Sequence, residues 1–99
     1  MNVNIPDQSE VLDYYGEDIQ SVVHMEECGE LIQAISKLRR AIRKNPDNYP
    51  AARVEHLIEE IGDVLICMEQ LKLMYGFTDA DIEAMVRAKC RKRKEKMQG

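Results

Sequence analysis

Residues 17–44 read EDIQSVVHMEECGELIQAISKLRRAIRK, a stretch of 28 residues with no proline and a single glycine. Its apolar residues recur at three- and four-residue steps and form one stripe along a helix. The members of this stripe are Val23, Leu31, Ala34, Ile35, Leu38, Ala41 and Ile42. The pattern predicts one helix over residues 17–44, about 42 Å long at 1.5 Å per residue. This length exceeds the diameter expected of a compact domain of 99 residues, whose radius of gyration would be about 13 Å.

Turn-forming residues divide the rest of the chain into three further helices. We predict a short helix from Ser9 to Tyr15 ended by Gly16, a long one from Ala51 to Tyr75 ended by Gly76, and a fourth capped by Thr78. No segment alternates with period two, so no strand is expected. The fold class is therefore all-α, a four-helix bundle. Two long and two short helices cannot cover every apolar face within one chain, and a homodimer or homotetramer would complete the bundle.

Composition narrows the class of protein. A length of 99 residues fits one domain, residues 1–99. A net charge of −4 argues against a surface built for nucleic acid or anionic lipid. There is no membrane-spanning apolar run and no secretory signal pattern, so we expect a cytoplasmic protein without membrane contacts. Three widely spaced cysteines, with no C-x-x-C, indicate neither a disulfide framework nor a zinc site.

Acidic and basic residues are concentrated in different parts of the chain. Residues 1–36 contain eight acidic residues and no Lys or Arg, whereas residues 87–96 contain seven basic ones. The basic segment has two interpretations that the sequence leaves open. It either forms a solvated helix end that suits the helix dipole, or it supplies cations to a bound polyanion.

Four acidic residues occupy positions where apolar residues are expected. Glu27 lies inside the apolar stripe of the second helix, and Glu30 lies at its edge. On the third helix, Glu60 and Asp63 continue into the apolar seam at Cys67. Each pair is spaced i, i+3, which puts two carboxylates on one helical face about 5–6 Å apart. This is a spacing typical of metal ligands.

Such carboxylates must be neutralised if they point inward. Two like charges 5 Å apart repel by about 3 kcal/mol at an effective dielectric of 20, and burial adds a desolvation penalty. The carboxylates either protonate, pair with Lys or Arg, or bind a divalent cation. Oxygen ligands favour Mg²⁺, Mn²⁺ or Ca²⁺. A di-iron bundle would require Glu-x-x-His, which the chain lacks.

Two segments carry a resemblance to a known family. MEECGEL at residues 25–31 and LIEEIGDVL at residues 57–65 resemble the E-E-x-x-E and E-x-x-D signature of MazG-like, all-α nucleoside triphosphate pyrophosphohydrolases. The resemblance extends over about residues 17–95 and is closest to short single-domain members of phage or prophage type. It implies hydrolysis of a nucleoside triphosphate to the monophosphate and pyrophosphate, by attack of water at the α phosphate.

The resemblance also implies roles for particular residues. The Mg²⁺ ligands, with Mn²⁺ as an alternative ion, would be Glu27, Glu30, Glu60 and Asp63. Glu26 and Glu59, each beside a ligand, would support the ligands as the candidate catalytic residues, and one of the two would orient or deprotonate the attacking water. Basic residues after the second motif, often K-x-x-x-R in the family, would contact the phosphates, and here these are Lys89 and Arg93.

Some positions depart from the family pattern. The connection between the two motifs is long, and we expect its extra residues at 45–50 to shape the base pocket. Arg87 stands where an Asn is frequent, and the chain has no Trp. Base and sugar preference therefore stays open. A phosphoribosyl-ATP pyrophosphohydrolase or an enzyme acting on dUTP or dCTP is one alternative. A non-catalytic helical dimer that binds nucleic acid or a partner through the basic C-terminal helix is another, although the net charge makes nucleic acid the less favoured partner.

Overall fold

The computed structural model describes residues 2–99 and contains four helices, with no strand in that range. They are α1 (Gln8–Tyr15), α2 (Glu17–Lys44), α3 (Ala51–Tyr75) and α4 (Asp79–Gln98). The predicted all-α class is confirmed. Helices α2 and α3 have the predicted bounds, α4 begins after Thr78 as predicted, and α1 begins one residue earlier than expected. None of the helices in residues 2–99 is both long and apolar enough to cross a membrane.

Glycines end the first and third helices, as the sequence predicts. Gly16 has φ 88° between α1 and α2, and Gly76 has φ 71° after α3. Glycine adopts these left-handed conformations without the steric penalty of a side chain. The amide of Gly76 donates to the carbonyl of Lys72, which closes the last turn of α3.

Helices α2 and α3 form an antiparallel pair, which is the main body of the protomer. Ala34, Val64 and Cys67 are the buried apolar residues of the described chain. Helix α1 packs across one end of the pair. The apolar stripe predicted on α2 is only partly correct, because Ile35 is 48% exposed. A two-helix body buries one side of each helix, so residues at the margin of a broad stripe stay in solvent.

Helix α4 begins with a complete capping box. The Thr78 hydroxyl accepts from the amide of Asp81 at 3.2 Å, and the Thr78 amide donates to Asp81 Oδ2 at 2.9 Å. Lys72 of α3 forms an ion pair with Asp79, the first residue of α4, and another with Glu69. These bonds set the direction in which α4 leaves α3.

Beyond this junction α4 packs against none of the other helices described in residues 2–99. Every residue from 77 to 99 is exposed. The radius of gyration is 16.8 Å, against about 13 Å for a compact chain of this length. The described chain is therefore elongated, and the 20-residue α4 packs on no other helix of residues 2–99.

Candidate metal centre

The two acidic motifs meet between α2 and α3. One carboxylate oxygen from each of Glu27, Glu30 and Glu60 lies within 4.8 Å of the other two. Asp63 follows Glu60 by one helical turn, and with Glu27 it lines the adjoining cleft. Opposite oxygen ligands of Mg²⁺ are about 4 Å apart, since each bond is 2.0–2.1 Å. Only one pair of the three could take opposite positions, and adjacent ligands are about 2.9 Å apart, so the oxygens would have to approach one another to share an ion.

Burial distinguishes this cluster from an ordinary acidic surface. Glu60 is 7% exposed, Glu27 and Asp63 are half-buried, and Glu30 is exposed at the rim. The difference in burial between Glu27 and Glu30 agrees with the sequence analysis, which places Glu27 inside the apolar stripe of α2 and Glu30 at its edge. Glu27 Oε2 and Glu60 Oε2 are both buried and have no hydrogen-bond partner among the described residues. Unpaired buried carboxylate oxygens are costly, and a divalent cation would satisfy them. The oxygen-only donor set fits a hard cation.

The pKa values of groups in and next to the carboxylate cluster are raised. Burial raises the pKa of Glu27 from its usual 4.5 to about 7, and the charges of Asp63, Glu30 and Glu60 add to the shift. Burial likewise raises the pKa of Glu60, with further contributions from Glu30 and Asp63, and His56 opposes this shift. Cys67 lies behind the cluster, where burial and the charge of Glu27 raise its thiol pKa to about 11. A cation would reverse the shifts of the carboxylates, because it stabilises their charged forms.

The predicted catalytic glutamates lie outside this cluster. The side chain of Glu59 is 67% exposed, and Glu26 is also exposed. One histidine lies between Glu59 and the cluster: His56 Nδ1 is 3.8 Å from Glu59 Oε2, and His56 Nε2 is 3.8 Å from Glu60 Oε1. His56 is not among the residues predicted for the site from sequence. Its position i−4 from Glu60 is the signal that places it on the same face.

The predicted phosphate-binding residues are not brought to the carboxylates within one protomer. Lys89 and Arg93 lie in the exposed part of α4, which does not pack on α2 or α3. The 45–50 loop is also remote. Asn45 is 18 residues from Glu27 along α2, which corresponds to about 27 Å at 1.5 Å per residue. The expectation that this loop shapes the base pocket therefore does not hold within the protomer.

A buried polar network near the cluster was not predicted from the sequence. Gln70 Oε1 accepts from Gln20 Nε2 at 3.1 Å and faces His24 Nε2 at 2.7 Å. Gln70 Nε2 donates to Gln8 Oε1 at 2.7 Å, and Gln8 Nε2 donates to the Pro6 carbonyl at 2.9 Å. A signal was present, because Gln20 and His24 fall at about 100° and 140° in the apolar stripe of α2 when Ile19 is set to zero.

The fold and the site together define a class: all-α proteins that hold converging carboxylates on a pair of long helices. The sequence model of the MazG nucleotide pyrophosphohydrolase domain matches residues 19–98. This match spans most of the chain, and the protein belongs to that family. No significant match to the chain is found among curated proteins or among solved structures. Members of the family act on nucleotides and are generally metal-dependent, which fits the oxygen-lined cluster.

Proposed function

We propose that the protein is a Mg²⁺-dependent nucleoside triphosphate pyrophosphohydrolase. It cleaves a ribo- or deoxynucleoside triphosphate to the monophosphate and pyrophosphate through attack of water at the α phosphate. The observation that carries the proposal is the cluster of Glu27, Glu30 and Glu60, with two buried carboxylate oxygens that lack partners. Asp63 is the fourth ligand. The cytoplasm is the proposed location, because nucleoside triphosphates are produced and consumed there.

Residues of the two motifs have different roles in this proposal: some bind the metal ion, and others act on the attacking water. When bound, Mg²⁺ offsets phosphate charge and lowers the pKa of water, and Mn²⁺ is an alternative ion with the same ligand preference. The carboxylates of Glu27 and Glu60 lie in a partly dehydrated site, where their electrostatic interaction with the ion would be stronger than in water. Glu59 and Glu26 orient or deprotonate the attacking water. Glu59 is the better placed of the two, because His56 lies 3.8 Å from its Oε2 and 3.8 Å from Glu60 Oε1.

A second copy of the chain supplies the phosphate-binding residues. Helix α4 carries seven basic residues and does not pack on α2 or α3, which hold the acidic cluster of the same chain. In a homodimer, or a homotetramer built from such dimers, α4 of one copy reaches the cluster of the other, and Lys89 and Arg93 meet the triphosphate. Large exposed apolar residues on α2, α3 and α4 support this assembly: Met25, Ile32, Ile58, Met68 and Met85.

Product analysis tests the activity directly. The purified protein is incubated with a panel of ribo- and deoxynucleoside triphosphates, with Mg²⁺ or with EDTA, and the products are separated by anion exchange. Monophosphate and pyrophosphate should form only with the metal ion. Glu27→Gln should abolish both products, whereas Glu17→Gln, ten residues away on the exposed side of α2, should not. Release of orthophosphate, or no turnover, would contradict the proposal. Preference for phosphoribosyl-ATP, dUTP or dCTP would identify the specialised branch.

One observation favours a second function. The seven basic residues of α4 are all exposed and lie in its C-terminal part, residues 87–96. A non-catalytic protein could use them to bind nucleic acid or an acidic partner. That function predicts salt-dependent binding to duplex DNA or RNA that survives Glu27→Ala and is lost when Lys89 and Arg93 are replaced by Ala. A fluorescence anisotropy titration at two salt concentrations separates it from the enzyme.

A further inference from the structure

Helix α1 forms one wall of a cleft that adjoins the carboxylate cluster. Gln8 and Val11 of α1 line this cleft, and Glu27 and Asp63 line it from the helix pair. The remaining lining residues also belong to α2 and α3. The cleft has a volume of about 290 Å³, which is just below the range of about 300–1,000 Å³ for small-molecule sites. A nucleotide that reaches Glu27 and Asp63 through this cleft therefore requires one of its walls to move.

The walls of the cleft differ in how much buried surface holds them in place. Helices α2 and α3 contain the buried apolar residues Ala34, Val64 and Cys67, so their separation would expose the core. Helix α1 contributes no buried residue, and its apolar residues Val11 and Leu12 are only half-buried. Because the free energy of burial is roughly proportional to the apolar area removed from water, α1 is the wall that moves at the lowest cost.

A single residue connects α1 to α2. Gly16 has φ 88° and ψ 155°, a combination that is essentially restricted to glycine. A Cβ built at Gly16 would meet no atom within 4 Å, so the backbone conformation, and not the surrounding space, requires glycine there. A change in the two dihedral angles of Gly16 would swing α1 as a unit while α1 and α2 keep their internal hydrogen bonds. Hinge residues act in this way.

One hydrogen bond joins a side chain of α1 to the helix pair. Gln70 Nε2 donates to Gln8 Oε1 at 2.7 Å, and no other hydrogen bond or ion pair joins an α1 side chain to α2 or α3 in residues 2–99. Gln70 is itself held in place, because its Oε1 accepts from Gln20 and lies 2.7 Å from His24 Nε2. The donor of this bond is therefore fixed to the helix pair, and only its acceptor moves with α1.

We propose that α1 is a lid over the cleft, with Gly16 as its hinge and the hydrogen bond between Gln8 and Gln70 as its latch. The lid is closed in this structure. It opens to admit a nucleoside triphosphate to Glu27 and Asp63, and its closure then holds the nucleotide beside the carboxylate cluster. The proposal rests on the function proposed above, because that function supplies the molecule that passes the lid. The motion of α1 can still be measured without any nucleotide.

The thiol of Cys67 can report opening of the lid in the metal-free protein. Cys67 lines the same cleft and is 4% exposed, whereas Cys28 and Cys90 are exposed. In a chain with Cys28→Ser and Cys90→Ser, the rate of labelling by N-ethylmaleimide measures how often Cys67 becomes accessible. Gln8→Ala removes the latch and should raise this rate by about threefold or more. Asp13→Ala, at an exposed position of the same helix, is the matched control and should leave the rate unchanged.

Two further measurements separate a moving lid from a loosened fold. Gly16→Ala keeps the latch but strains the closed hinge, so it should also raise the labelling rate of Cys67. Urea below the unfolding transition should leave the labelling rate unchanged, because a local opening exposes little surface. A labelling rate that rises with urea as global unfolding does, or no effect of either Gln8→Ala or Gly16→Ala, would overturn the proposal.

Binding kinetics test whether the lid controls entry to the cleft. The probe is the α,β-methylene analogue of the triphosphate with the highest turnover, carrying a methylanthraniloyl fluorophore, mixed with protein and Mg²⁺ in a stopped-flow instrument. If closed α1 blocks the cleft, Gln8→Ala should raise the association rate constant by about threefold or more, because a larger fraction of the protein is competent to bind. A fixed wall would change only the dissociation rate constant, and that result would contradict the lid.

The outcomes also separate this inference from the function on which it rests. Labelling of Cys67 that responds to neither Gln8→Ala nor Gly16→Ala, in a protein that releases pyrophosphate with Mg²⁺, would contradict the lid and leave the enzyme intact. Faster labelling in both variants, without release of pyrophosphate from any triphosphate, would support the moving helix and contradict the enzyme.

Discussion

Glu27 of α2 and Glu60 of α3 face each other across the helix pair, and each has a buried carboxylate oxygen without a hydrogen-bond partner in the described chain. Two such carboxylates, with oxygens within 4.8 Å of each other, are unfavourable in a metal-free protein, because like charges repel strongly where water is partly excluded. A protein that retains this arrangement gives up stability in return for a binding site. Substitutions of Glu27 and Glu60 can therefore measure both the loss of stability and the binding of the metal ion.

Replacing one of the facing carboxylates should stabilise the metal-free protein and abolish activity. Glu27→Gln removes a like charge next to Glu60 and Asp63, so we expect the melting temperature in EDTA at pH 8 to rise by a few degrees. The same variant loses a metal ligand, and turnover with Mg²⁺ should fall by more than about 100-fold. Differential scanning calorimetry with EDTA and with Mg²⁺ measures both effects on stability. A lower melting temperature in EDTA would show that the Glu27 carboxylate makes a net stabilising contact in the metal-free protein.

Stability without metal should depend on pH with a definite sign. The pKa of Glu27 is raised in the folded state to about 7, from 4.5. A raised pKa contributes stability below the unfolded value and loses that contribution as pH rises through the folded value. The melting temperature in EDTA should therefore fall between pH 5 and pH 8. Mg²⁺ should reverse the trend, since it binds the ionised form. Glu27→Gln should flatten the EDTA profile, and Glu17→Gln should not.

The helices and the carboxylate cluster could be predicted from sequence because both depend on local features. Glycines and prolines bound the segments, and a helical period of 3.6 residues sets which side chains share a face. Those rules alone are sufficient to place Glu27 and Glu60 on the inward faces of their helices. The outward position of Ile35 follows from the width of its stripe, which exceeds what a single neighbouring helix covers.

The partner of α4 and the buried glutamine network could not be predicted, because they depend on contacts between residues far apart in the sequence. The apolar residues of α4, such as Ile82 and Val86, indicate that one face is to be covered, but the pattern does not say by which chain. Gln20 and Gln70 are 50 residues apart, and each alone is an ordinary polar residue in an apolar stripe. Their hydrogen bond becomes visible only when α2 and α3 are placed side by side.

The start of α4 depends on one hydroxyl. Thr78→Ala removes the acceptor for the Asp81 amide, and loss of such a cap costs about 1 kcal/mol. Donation from Thr78 also lowers the pKa of Asp81, so the bonds to the Asp81 carboxylate contribute at neutral pH and are lost as the pH falls through the folded pKa of Asp81. Urea unfolding at pH 7 should show the loss, and Thr78→Ser should restore most of it. An unchanged midpoint in Thr78→Ala would show that α4 is held by contacts outside the protomer.

Complementation between inactive variants should show whether α4 acts on a second copy. Glu27→Ala removes a ligand from the acidic cluster, and Lys89→Ala removes a cation from α4. If each site joins the cluster of one chain to α4 of the other, a mixed dimer has one doubly damaged site and one intact site. Equal mixing gives half mixed dimers, so activity should recover to roughly a quarter of the wild-type value. If Lys89 serves the cluster of its own chain, both sites of a mixed dimer remain damaged and no activity returns. Sedimentation of the mixture confirms that dimers are present, and mixing Glu27→Ala with Glu60→Ala, which lie in the same cluster, is the matched control without an intact site.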